Sequence, residues 1–219
     1  MKTSRPIAPP QAAELARSTS APDSTRGSES GPAILLCGVL IALVASAFYP
    51  VLRNGLINLD DPGYVALNSH IQRGLTWDSL KWAFTAVDSA NWHPLTWLSH
   101  MLDYQVFGER VWGHHLSSLI LHGLNTVALF VVFRGLTGSL WRSFFVAALF
   151  GVHPLRVESV AWVAERKDVL STFFFILSLW GYAKYARSKV QSPKSEAQKA
   201  VQLRCKNVQE RAKTCKKTG

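Results

Sequence analysis

Three stretches of this chain, residues 33–51, 116–133 and 169–183, are apolar and free of Asp, Glu, Lys and Arg, and a shorter fourth, 140–152, contains Arg142 as its one charge. A hydrocarbon core of roughly 30 Å requires about 20 apolar residues in a helix. The first stretch supplies that length directly, and the next two supply it with their flanks. The pattern predicts an all-α integral membrane protein with about four transmembrane helices, at roughly 33–51, 114–134, 140–154 and 168–186. The 140–154 segment is short for a span. It is expected to run on through His153-Pro154, with Arg156 and Glu158 buried against neighbouring helices. Pro154 would bend such a helix, and broken helices in membranes usually line a cavity where freed backbone groups and ions find partners.

Between the first two stretches lies a loop, 52–112, patterned as short helices. Asp61-Pro62 reads as an N-cap followed by proline at the first helical position, with Gly74 closing that helix. Thr76 then caps Trp77 to Val87, and Pro94 opens a third helix ending near Gly108, on which Leu95, Leu98, Met101, Leu102 and Val106 form one stripe. Trp77, Trp82, Trp92, Trp97 and Trp112 all fall in this loop. Amphipathic helices bearing Trp and Lys81 suit the headgroup layer of a bilayer.

Charge sets the orientation. With an N-terminus in the cytoplasm and four spans, 17 of the 24 Lys and Arg residues lie in the N-terminal tail, the 134–142 turn and the C-terminal tail. The positive-inside rule then places both termini in the cytoplasm and the 52–112 loop outside. Residues 1–32, rich in Ser, Pro and Ala, read as a disordered cytoplasmic leader. Ala45-Ser46-Ala47 resembles a signal cleavage site, but the long polar leader favours an uncleaved anchor. Residues 188–219 form a basic tail; from Lys184 onward 11 Lys and Arg stand against Glu196 and Glu210, most of the net charge of +10. Ala197, Val201, Cys205, Val208 and Ala212 lie on one helical stripe there, suited to anionic headgroups. No aromatic residue follows Tyr185, so a nucleic-acid partner is not expected.

The candidate chemistry centres on Asn58-Leu59-Asp60-Asp61-Pro62-Gly63-Tyr64, where two carboxylates sit just beyond the first apolar stretch. Acids so placed can supply a general base to a substrate from water while a lipid-borne partner arrives from the bilayer. Seven histidines raise the question of a metal, but His-Glu-x-x-His and paired cysteines at zinc spacing are absent. The expectation is no metal, with the imidazoles hydrogen-bonded to backbone or headgroup oxygens. Cys37 falls in a span and Cys205 and Cys215 in the tail, which excludes a disulfide scaffold.

The order Leu59-Asp60-Asp61, Asn91-Trp92-His93-Pro94-Leu95-Thr96-Trp97-Leu98-Ser99-His100, Gly113-His114-His115 and the run from His153 to Asp168 resembles the N-terminal membrane part of bacterial tetratricopeptide-repeat glycosyltransferase-like proteins. These are similar to the protein O-mannosyltransferases of the GT-C class. The resemblance covers about 33–187; beyond it the family's further spans and repeats give way to the basic tail, as in a truncated product.

The resemblance implies transfer of a sugar, mannose-type, from a polyprenyl-phosphate donor to a protein or glycan hydroxyl at the non-cytoplasmic face of a bacterial inner membrane. No cofactor is implied beyond the lipid-linked sugar phosphate. The family's acidic motif maps onto Asp60 and Asp61, with Asp60 as the base because Asp61 is engaged as a cap. Arg166 and Lys167, with Arg156 as a second candidate, would bind the donor phosphate. Trp92, His93, Glu158 and Asp168 are candidate substrate contacts. The alternative is a catalytically silent membrane scaffold or partner subunit of a full-length relative. A small transporter fits less well, since the spans lack visible inverted-repeat symmetry.

Overall fold

The computed structural model describes residues 30–87 and 91–215, so the predicted leader lies outside the described residues. The chain separates into two units, Met1–Leu35 and Leu36–Gly219; all that follows concerns the second, apart from the opening turn of the first helix. Eight α-helices are described: α1 (Ser30–Phe48), α2 (Ser69–Gln72), α3 (Trp77–Thr85), α4 (Pro94–Phe107), α5 (Val111–Thr137), α6 (Leu140–Val152), α7 (Val157–Ala161) and α8 (Arg166–Cys215). No β-strand occurs among the described residues. The protein is an all-α membrane protein. Three segments, Gly31–Arg53, Val111–Thr137 and Val163–Lys189, are long and apolar enough to cross a bilayer; α6 and the segment Pro154–Ala161, bent by 53°, make a fourth if the pair is one broken span and a re-entrant loop if it is not.

α5 is the hub, packing against α4, α6, α7 and α8. Its buried face is polar: His114, His115, Ser118, His122, Asn125 and Thr126 are buried, whereas Ile120, Leu124 and Val131 are exposed. That arrangement suits a lipid surround, where apolar side chains gain nothing by leaving the surface and polar ones hold helices together. Asn125 donates to the Val169 carbonyl at 2.8 Å, and His122 Nε2 meets the Gly151 carbonyl at 2.9 Å. Gly151 has no space for a side chain, because a Cβ there would stand 2.9 Å from both Thr126 and Val44. These contacts fix the register. The break after α6 is level with His122, about 12 Å along α5 from His114 at 1.5 Å per residue.

The outer loop differs in part from the sequence pattern. The helix expected from Pro62 to Gly74 is two pieces, a π-helical turn at Pro62–Ala66 and α2, because the Asn68 side chain caps His70 and Ile71 and restarts the chain. Asp61 makes no side-chain cap. Thr76 caps α3 through the Ser79 amide, as its spacing predicts, and Gly108 ends α4 with φ +64°, a conformation that favours glycine. On α4 the expected apolar stripe is buried only at Met101 and in part at Leu98. Leu95, Leu102 and Val106 are exposed while Thr96, Trp97, His100, Met101 and Asp103 are buried. Four of the five loop tryptophans keep exposure, and Trp97 is enclosed with Tyr64, Val65, Ile71, Ala83, Met101, Val163 and Ala164. α8 continues unbroken beyond 187, where the sequence pattern placed the end of the membrane domain.

Candidate functional site

The two adjacent aspartates have opposite environments. Asp61 is fully buried; its Oδ2 accepts from the Ile57 amide and its Oδ1 from the Ala164 amide, each at 2.8 Å. It therefore fastens the start of the outer loop to the segment just before α8. Asp60 is exposed, and no hydrogen bond or ion pair is recorded for its carboxylate among the described residues. The reason given from sequence for preferring Asp60 is thus corrected: Asp61 is occupied by a long-range tether, not by a helix cap.

Tyr64, one turn further on, organises the neighbouring surface. Its ring is buried, stacks on His93 with centroids 5.5 Å apart and lies 4.8 Å from Trp97, while its hydroxyl accepts from Asn91 Nδ2 at 3.4 Å. Burial pushes the Tyr64 hydroxyl up from its ordinary range, against the pull of Lys167 and the Asn91 hydrogen bond; Asp60 and Glu165 add to the rise. Asp60 and Lys167 thus both act on the Tyr64 hydroxyl.

Beside it opens a cavity of about 570 Å³. Phe84, Trp92, Pro94, Leu95, Leu170 and Phe174 give it an apolar wall, and His93, Lys167 and Asp168 add polar groups. Its size is that of a ligand pocket. Trp92 is fixed by donation from Nε1 to the Phe84 carbonyl at 3.1 Å. Lys167 is paired with Glu165 at 2.6 Å, which leaves two of its three ammonium protons for another acceptor. Asp168, in the first turn of α8, accepts from Ser159 at 3.5 Å. The structure therefore brings together Trp92, His93, Lys167 and Asp168, drawn from two distant parts of the sequence.

Two predicted cations and one acid lie apart from this cavity. Arg166 is fully buried and faces the other way: its guanidinium donates to Asp103 Oδ2, to the His114 carbonyl and to Ser118 Oγ at 3.2 Å. A guanidinium so enclosed is a structural ion pair and is not presented to a phosphate, so its grouping with Lys167 is corrected. Arg156 stacks over the Phe150 ring at 4.6 Å on a separate groove of about 510 Å³, whose wall shares no residue with the first cavity. It is half-buried, where burial against neighbouring helices was expected. Glu158 is exposed on α7 and lines neither cavity, contrary to the expectation that it packs inside.

The sequence reading missed the group around Arg166. Asp103, with 4 % of its surface exposed, accepts from Arg166 and, through Oδ1, from Ser117 at 2.6 Å. His100 and His114 stand beside it, fully enclosed, and none of their ring nitrogens has a hydrogen-bond partner. Burial, and after it the Arg166 guanidinium and the neighbouring imidazoles, holds His100 well below the usual histidine range, so its ring is neutral. The available signal was the His100/Asp103 spacing, three apart and on one helical face.

Part of the chain matches animal protein O-mannosyl-transferases. It is 31% identical over 136 residues to protein O-mannosyl-transferase Tmtc2 of Drosophila melanogaster, covering 58% of this chain and 14% of that protein. It is 33% identical over 106 residues to TMTC2 of Homo sapiens, covering 48% and 13%. Against TMTC4 of Homo sapiens the figures are 34% over 111 residues, 44% and 15%. The chain thus spans about a seventh of the length of these relatives. No family model and no solved structure matches.

Proposed function

We propose that the chain contributes the donor-binding part of a GT-C-type glycosyltransferase, which moves a mannose-type sugar from a polyprenyl phosphate to a hydroxyl of a protein or glycan. The observation that carries this reading is the cavity of about 570 Å³ whose apolar wall ends at Lys167 and Asp168. A polyprenyl chain would lie against Phe84, Leu95, Leu170 and Phe174, and its phosphate would take the free protons of the Lys167 ammonium. Asp60, exposed and free of internal partners, is the general base for the acceptor hydroxyl. Trp92 and His93 shape the sugar end of the cavity.

The bulk of the basic residues lies on the segments assigned to the cytoplasm, which supports an outer loop at the non-cytoplasmic face. The resemblance adds a bacterial inner membrane. The second reading is a membrane scaffold or partner subunit without activity of its own.

Binding of polyprenyl phosphate by the purified protein in detergent, read from tryptophan fluorescence, tests the site. The expected result is saturable binding that Lys167→Gln weakens about tenfold, the loss of one charge-assisted hydrogen bond. Binding unaffected by Lys167→Gln and by Leu170→Glu would remove the cavity from the account and leave the scaffold reading.

A further inference from the structure

The cluster of His100, Asp103 and His114 lies outside the cavity described above, and the transfer chemistry makes no use of it. Each of the three offers one ligating atom, and these atoms all lie within 4.8 Å of one another. His114 Nδ1 stands 3.4 Å from Asp103 Oδ2. A tetrahedral zinc site with bonds of about 2.0–2.1 Å sets neighbouring ligand atoms about 3.3 Å apart, so this edge already has the right length. His100 and Asp103 are brought to one face of α4 by their i, i+3 spacing, and His114 comes from the first turn of α5.

The second observation is independent of the spacing. His100 and His114 are 0% and 1% exposed; both ring nitrogens of His100 and Nε2 of His114 lack a partner, and His114 Nδ1 has only the Asp103 carboxylate, 3.4 Å away. Buried imidazoles without partners are rare in folded proteins. Access exists as well: His114 lines a cavity of about 230 Å³ with Gln72, Tyr104 and Glu109.

We propose that His100, Asp103 and His114 bind a divalent transition-metal ion of the zinc class, clipping the outer-loop helix α4 to the membrane helix α5. Two imidazoles and one carboxylate are a donor set for zinc, cobalt or iron rather than for calcium or magnesium. Asp103 holds its orientation through Ser117 on one oxygen and Arg166 on the other, the outer-shell arrangement that fixes a ligating carboxylate. Arg166 is also the opposing charge. The ion would bring two positive charges beside the guanidinium, with Asp103 offsetting one. The fourth position therefore takes an anionic ligand, hydroxide or a carboxylate or phosphate oxygen, entering past Glu109 from the cavity.

The test uses the full chain in detergent, stripped with a chelator and titrated with Co²⁺. One Co²⁺ per chain is expected, with the visible absorption of a tetrahedral site and displacement by Zn²⁺. X-ray absorption of the wild-type complex should count two imidazole ligands. His100→Gln and His114→Gln should each weaken binding by more than the roughly ten- to hundredfold that follows loss of an outer-shell partner. His122→Gln, which removes a buried histidine bonded to Gly151, should leave binding unchanged. A folded wild-type protein that takes up no stoichiometric Co²⁺, or a bound ion without imidazole ligands, would overturn the site. So would binding that survives both the His100 and the His114 substitution.

Discussion

Asp60 and Asp61 show how little residue type says about role. Adjacent in sequence, one is exposed and free of internal partners while the other joins two segments more than a hundred residues apart through its contact with Ala164. Asp61→Asn should therefore lower thermal stability in detergent by several degrees, because an amide replaces one of two buried acceptors and leaves an amide N–H unpaired, at about 1–3 kcal/mol. Asp60→Asn should leave the melting temperature where it is. Arg166 and Lys167 repeat the lesson. They read alike as adjacent cations, yet consecutive residues on a helix point about 100° apart. Arg166 meets Asp103, a partner 63 positions away that no local pattern indicates.

At the level of elements, most helix boundaries were legible because they are set by local chemistry: Thr76 before α3, Pro94 opening α4, Gly108 closing it. The inward face of α4 was not legible. An apolar stripe ordinarily marks the buried side, but a helix against a bilayer can turn that side outward and gather His100 and Asp103 inside. The Asn68 cap, which splits the expected 62–74 helix, is carried by its residue type alone. At Gly151 α6 approaches Thr126 and Val44 so closely that an added Cβ would stand 2.9 Å from each. Gly151→Ala should destabilise the protein by about 1–3 kcal/mol through overpacking. Gly123→Ala, where nothing lies within 4 Å of the added carbon, should be neutral; thermal unfolding of the two variants side by side checks the difference.

For the whole molecule, the three long membrane helices were readable from the distribution of charge, because a bilayer excludes charge over a length that only a helix of about 20 residues fits. The bent fourth segment decides the orientation of everything after it. If α6 and its continuation cross as one broken span, Cys205, exposed on α8, lies in the cytoplasm, and an impermeant thiol reagent added to intact cells should not reach it. Asn58→Cys in the outer loop should be labelled from outside under the same conditions. Labelling of both from outside would mean that the bent pair does not cross.

The central claim is that Asp60 beside the Lys167 cavity is a transfer site. It is tested most directly by measuring incorporation of label from radiolabelled polyprenyl-phosphate mannose in membranes containing the chain, with Asp60→Asn as the paired variant. The account predicts transfer that falls by about 10²–10⁴-fold in the variant, the contribution of a general base, with insertion and stability unchanged. Transfer at the wild-type rate by Asp60→Asn, or no transfer by a correctly inserted wild-type chain, would contradict it.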